Sequence, residues 1–286
     1  MFTLYIFGNG FDLHYGLKTK PIHFIEYLNK EFVYDEMANA YEVFSDYAVD
    51  WSEYEQSLSE IDLEEIECRN IQAPDYLSDN EYDRDGGILN MKMYCESLSS
   101  AVRSALANMV QAAEIEIEEK SHNPKIDLFD DGDAILSFNY TSTVESLYNL
   151  HSIKVFHIHG YYLNDEELIF GYANPNTTYE NKLDWEDEDY YINEQRRTLV
   201  GFYECWQKHL RIEELKRFLQ EVGTIDTVKV CGHSMEAVDS EYMEIIEEIA
   251  NPAKWEVSYY SETDKRKKEK IMEGYSFSKK VELFNW

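Results

Sequence analysis

The chain has 286 residues, 44% of them hydrophobic and 15% aromatic, which is enough to bury a sizeable core and excludes a disordered composition. Its formal charge of −31 repels a phosphate backbone at long range and disfavours broad nucleic-acid binding. No stretch approaches the roughly 18 apolar residues of a membrane span, no basic-then-apolar leader opens the chain, and the four scattered cysteines suggest neither a zinc ribbon nor a disulfide framework, so a cytoplasmic protein with reduced thiols is expected.

TLYIF (3–7) is short, apolar and aromatic, ends at a glycine and predicts a buried strand. Residues 21–33 place Ile22, Ile25, Leu28 and Phe32 at helical spacing behind Pro21, a first-turn residue. Residues 35–68 continue as interrupted acidic amphipathic helix, 76–87 predicts a polar loop, and 91–119 is the clearest helix, with Leu98, Val102, Ala105, Leu106, Met109 and Ala113 on one face. Residues 35–86 carry 17 Asp and Glu against Arg69 and Arg84; they read as a solvated face or as a surface for a basic partner.

The pattern then changes. Strands are expected at 133–142, 154–160, 167–174, 227–234 and 254–261, helices at 204–222 and 239–250, with Asp239 or Ser240 able to cap the latter. KRKKEK (265–270) reads as a solvated helix or loop. Alternating strands and helices predict an α/β fold with a mostly parallel sheet, interrupted by a large acidic helical insertion at about 21–125.

In such a sheet, ligands bind where loops leave the carboxyl ends of strands. Five expected strands end in polar turns: GNGFD, FNYT, HIHG, FGYAN and GHSM. A glycine-rich strand-to-helix turn lets backbone N–H groups approach a phosphate. Here the G-x-G-x-x-G fingerprint is incomplete, with Leu13 at its sixth position, and Asp12 suits a helix cap or a ribose hydroxyl better than a phosphate. GHSME resembles a nucleophile elbow, but Glu236 replaces the last glycine and no histidine follows His233, so Ser234 reads as a backbone- or phosphate-binding residue at a helix start. His157 and His159 would share a strand face; a metal site there lacks a third ligand, and His159, beside Gly160, is the better placed for general-base work.

GNGFDLHYGLKT (8–19), FNYT (138–141), HIHG (157–160) and GHSMEAVDSEY (232–242), in this order, resemble the bacteriophage abortive infection AbiH family, over residues 4–246. WSEYE (51–55) is similar to a Trp-x-x-x-Glu element of its helical part. The family in turn resembles sirtuin-like NAD-binding domains of the Rossmann-like class. That resemblance implies one sirtuin-like α/β domain over residues 1–286. It gives Gly8 and Gly10 to the dinucleotide, Asn139 to the nicotinamide ribose, His159 with Gly160 to the base, and Gly232 with Ser234 to phosphate. Asn9, Phe11, Asp12, Tyr140, Gly171, His233 and Asp239 fall in the same turns and are expected around the nucleotide.

The zinc-binding cysteines and peptide groove of protein deacylases have no counterpart here. The implied reaction is therefore cleavage of the nicotinamide–ribose bond, with NAD as substrate and no further cofactor or metal. The implied setting is anti-phage defence, with a phage-derived trigger and a homo-oligomer or a protein partner at the acidic helices. Two other readings stay open: a non-catalytic nucleotide-sensing module, and a metal-dependent nuclease using Asp12, Glu55 and Asp239.

Overall fold

The computed structural model describes residues 2–31, 44, 50–173 and 189–286. In chain order its elements are β1 (Thr3–Phe7), α1 (Asn9–His14), α2 (Pro21–Glu31), α3 (Trp51–Ser57), α4 (Leu63–Asn70), α5 (Tyr82–Lys120), β2 (Ala134–Ser137), α6 (Thr143–Leu147) and β3 (Lys154–His157). There follow α7 (Tyr190–Glu204), α8 (Ile212–Val222), β4 (Thr227–Cys231), α9 (Ser240–Ala250), β5 (Lys254–Tyr259), α10 (Glu262–Met272) and β6 (Val281–Asn285). The chain divides into two compact units: residues 1–23, 107–169 and 209–286 form the first, and 24–106 with 170–208 the second.

The first unit is an α/β layer structure. Its six described strands are all parallel, in the order β3-β2-β1-β4-β5-β6. Parallel sheets are covered on both faces, and the strand residues obey that rule. Leu4 and Ile6 point to one side, with Val228, Val230, Trp255 and Val257, against Leu215 and Leu219 of α8 and Tyr242, Met243 and Ile246 of α9. Phe7 points to the other side, with Ile135 and Cys231, against Phe11 of α1 and Val144 and Leu147 of α6.

Register decides what meets at the carboxyl edge. Phe7 pairs with both Ser137 and Cys231, and Ser137 with His157. Four strands therefore end level, and the turns GNG, FNYT, IHG and GHS leave the sheet side by side. The strand order runs one way from β1 through β2 to β3 and the other way from β4 to β6, so the switch of direction lies between β1 and β4.

The second unit is helical. Asp50, Asp62 and Asp189 each cap a helix, accepting from Glu53 N, Glu65 N, and Tyr191 N with Ile192 N. Phe24, Trp51, Tyr54 and Phe170 pack ring to ring, with centroids 5.4–5.9 Å apart.

Several elements differ from their sequence pattern. The expected loop at 76–87 gives way to helix at Tyr82, and Gly87 lies inside that helix, where a Cβ would come within 2.9 Å of the buried Gln195 side chain. The expected strand at 167–174 is not formed by its described residues. Gly171 (φ +146°) breaks the extended run, and Tyr172 makes an isolated bridge with Gln207; Asn174 lies outside the described residues. The same bridge divides the helix expected over 204–222, because Tyr172 N donates to Trp206 O and Lys208 N donates to Tyr172 O. Helix resumes at Ile212, and Trp206 and Leu210 lie between helices. The basic run 265–270 lies on α10, and its Lys268 is buried, donating to His233 O and Ser258 O. Among the described residues, no helix is long and apolar enough to cross a membrane.

Candidate functional site at the carboxyl edge of the sheet

The GNG and GHS turns are packed glycine to glycine. Gly8 N donates to Cys231 O (3.1 Å) and Gly10 N to Gly232 O (2.7 Å). Gly232 has φ +70°, and a Cβ on it would lie 2.3 Å from Phe11 N; a Cβ on Gly10 would lie 2.7 Å from Gly232 Cα. The glycines bring the two turns to the switch point together, and both of these N–H groups are bonded within the protein. Phe11 is core, stacked on Trp286, tilted against Phe7 and edge-on to Tyr15.

Asp12 ties the GNG turn to the FNYT turn. Its carboxylate accepts from Thr141 Oγ1 (2.8 Å) and Thr143 Oγ1 (2.7 Å). Burial nevertheless outweighs these bonds and pushes its pKa up to about 6. Tyr140 anchors the next loop, its hydroxyl donating to Ile169 O (2.8 Å). Asn9 opens α1 and is half-buried.

The two histidines of HIHG have different surroundings. His157 lies between the Asn139 carbonyl and Glu145. His159, just past the strand, is buried with Nε2 3.1 Å from Asp239 Oδ1. Gly160 (φ +91°) turns the chain under it, where a Cβ would meet Glu167 O at 2.3 Å.

Asp239 has a second partner: His233 Nε2 is 3.3 Å from its Oδ2. Met235 N donates to His233 Nδ1 (3.0 Å), so His233 carries its proton on Nε2, facing the carboxylate. The Phe138 ring meets both imidazoles edge-on, at 5.0 Å from His159 and 4.3 Å from His233. A carboxylate thus joins two imidazoles on the β3 and β4 ends, inside an aromatic wall. Asp239 occupies the N-cap position of α9 but makes no side-chain cap bond, its oxygens being directed to the histidines.

Ser234 is half-buried in the loop after β4, ahead of the 3-10 turn Ala237–Asp239 and of α9, so it does not start a helix. Burial pushes the neighbouring Cys231 thiol up to about 12, which makes it a poor nucleophile. Among the described residues, no group of three or more His, Cys, Asp or Glu is placed to hold a metal ion.

Gly171 and Glu55 belong to the second unit. Glu55 is buried and pairs with the buried Lys208 (3.0 Å), and Gly171 N donates to its other oxygen (3.4 Å). The sequence reading singled out neither Thr141 and Thr143 as Asp12 partners, nor Glu145, nor the Asp239 bridge. The available signal was that HIHG and GHSM both set a histidine just past a strand end.

A family model for Bacteriophage abortive infection AbiH matches residues 4–259. The chain belongs to the AbiH family. The match runs from β1 to β5 and includes Asp12, Asn139, His157, His159, His233 and Asp239, while α10 and β6 lie beyond it. Membership gives the protein a role in phage abortive infection, a defence role. No curated protein matches this AbiH chain.

Proposed function

We propose that this AbiH protein carries out abortive infection by hydrolysing NAD at the nicotinamide–ribose bond, in a Rossmann-like, sirtuin-like first unit. The observation that carries the reading is the His159–Asp239 pair at the carboxyl edge, beside the switch in strand order. Asp239 accepts from Nε2–H of His159, so the neutral ring holds its lone pair on Nδ1, the atom that takes a proton from a ribose hydroxyl or a water. Asn139, in the turn after β2, orients the ribose or the water. Bond breaking passes through an oxocarbenium-like state.

The test is to incubate purified protein with NAD and follow nicotinamide. His159→Ala and Asp239→Asn should each lower release by roughly 10²-fold or more, with melting temperature near that of the wild type. Wild-type release from both variants would reject the site. The other reading is a non-catalytic nucleotide sensor acting through the acidic helical stretch. Tight NAD binding without nicotinamide release would establish it.

A further inference from the structure

His157 makes two short hydrogen bonds, and both partners are acceptors. Nδ1 is 2.8 Å from the Asn139 carbonyl oxygen, and Nε2 is 2.7 Å from Glu145 Oε1. A neutral imidazole has one N–H and one lone pair, so it satisfies only one of them. An imidazolium satisfies both. Glu145 needs the positive charge as well: among the described residues its Oε2 is buried with no hydrogen-bond partner. A carboxylate oxygen cut off from water in that way is costly without a counter-charge.

We propose that His157 is a fixed imidazolium, a positioning residue clamped between Glu145 and the Asn139 main chain, which sets the Asn139 side chain at the edge of the site. Its surroundings on every packed element are consistent with a held positive charge. Glu145 comes from α6, Glu114 acts on the same cluster from α5, and Glu166 from the loop after β3. Tyr161 stacks on the ring at 4.2 Å. Arg211, ahead of α8, is the nearby cation; it donates to the His157 carbonyl (3.1 Å) and to Glu166 (3.3 Å), so its charge is shared with a carboxylate. Burial acts to lower the His157 pKa, but the Glu145 hydrogen bond and charge, the Asn139 carbonyl and Glu166 carry it above the ordinary histidine value.

This assignment explains why the two histidines of one short motif do different work. His157, as an imidazolium, has no lone pair for a metal or a proton. The charge state does not depend on what the site binds; the consequence for turnover rests on the NAD-cleavage reading.

The test is nuclear magnetic resonance of the full chain labelled with nitrogen-15 in its histidine rings, with the His157 signals identified by their loss in His157→Gln. At pH 7.5 both ring nitrogens of His157 should show the protonated pattern. In Glu145→Gln the titration midpoint should fall by about one pH unit or more. A neutral ring in the wild type at pH 7.5, or an unchanged midpoint in Glu145→Gln, overturns the proposal. Nicotinamide release gives the second readout. Its alkaline limb should move to lower pH in Glu145→Gln, and turnover with an unmoved pH profile overturns the positioning role. If neither protein releases nicotinamide, the NAD reading fails, while the ring nitrogens still decide the charge of His157.

Discussion

The Asp12 carboxylate accepts two threonine hydroxyls, yet its pKa rises to about 6 because it is removed from water. Its ordinary value is 3.8. A raised folded pKa means that the native state holds the proton more tightly than the unfolded chain. The associated stability is fully present below about pH 4 and is lost as pH rises through about 6, amounting to roughly 3 kcal/mol at neutral pH. Urea midpoints between pH 4 and pH 7 should therefore decline less in Asp12→Asn than in the wild type, whatever the offset between the two proteins. Parallel curves would show that Asp12 does not titrate in that window. His157 has the same sign, with its stabilisation lost as pH rises through its folded pKa.

At the scale of elements, the turns after β1 and β4 depend on each other. Gly232→Ala puts a side chain on a φ of +70° and a Cβ 2.3 Å from Phe11 N, so it should lower stability by about 1–3 kcal/mol from backbone strain alone, with the clash added. Equilibrium denaturation checks this; a loss below about 0.5 kcal/mol would mean that the turns yield easily. In the second unit, Glu55→Gln and Lys208→Met should each cost about 3 kcal/mol or more, and the double variant less than their sum, since the two buried charges are paired directly. Additive losses would remove the pair from the account. The elements carrying these features were unequally legible. TLYIF, DAILSF, KVFH and TVKVC announce strands because each is a short apolar run stopped at a turn, and their shared edge follows once the sheet is parallel. ELIFGYAN has the same look and is not a strand in its described part, because Gly171 and the Tyr172–Gln207 bridge are tertiary facts. VELFN (281–285) was missed as β6, being short and only partly buried. His159 was legible from its place beside Gly160, but Asp239 is 80 residues away and becomes its partner only through strand order.

At the scale of the molecule, the family assignment gives the protein a role in phage abortive infection, and its formal charge of −31 repels a phosphate backbone at long range. Depletion of a shared metabolite fits that role, because one enzyme then halts the whole infected cell. The His159–Asp239 pair is the part of the structure on which this claim depends. The most direct measurement is NAD and nicotinamide in phage-infected cells expressing the wild type or His159→Ala at equal protein levels. With the wild type, NAD should fall and nicotinamide rise as protection sets in, and with His159→Ala neither change nor protection should occur. Protection by the wild type with NAD unchanged would contradict the account.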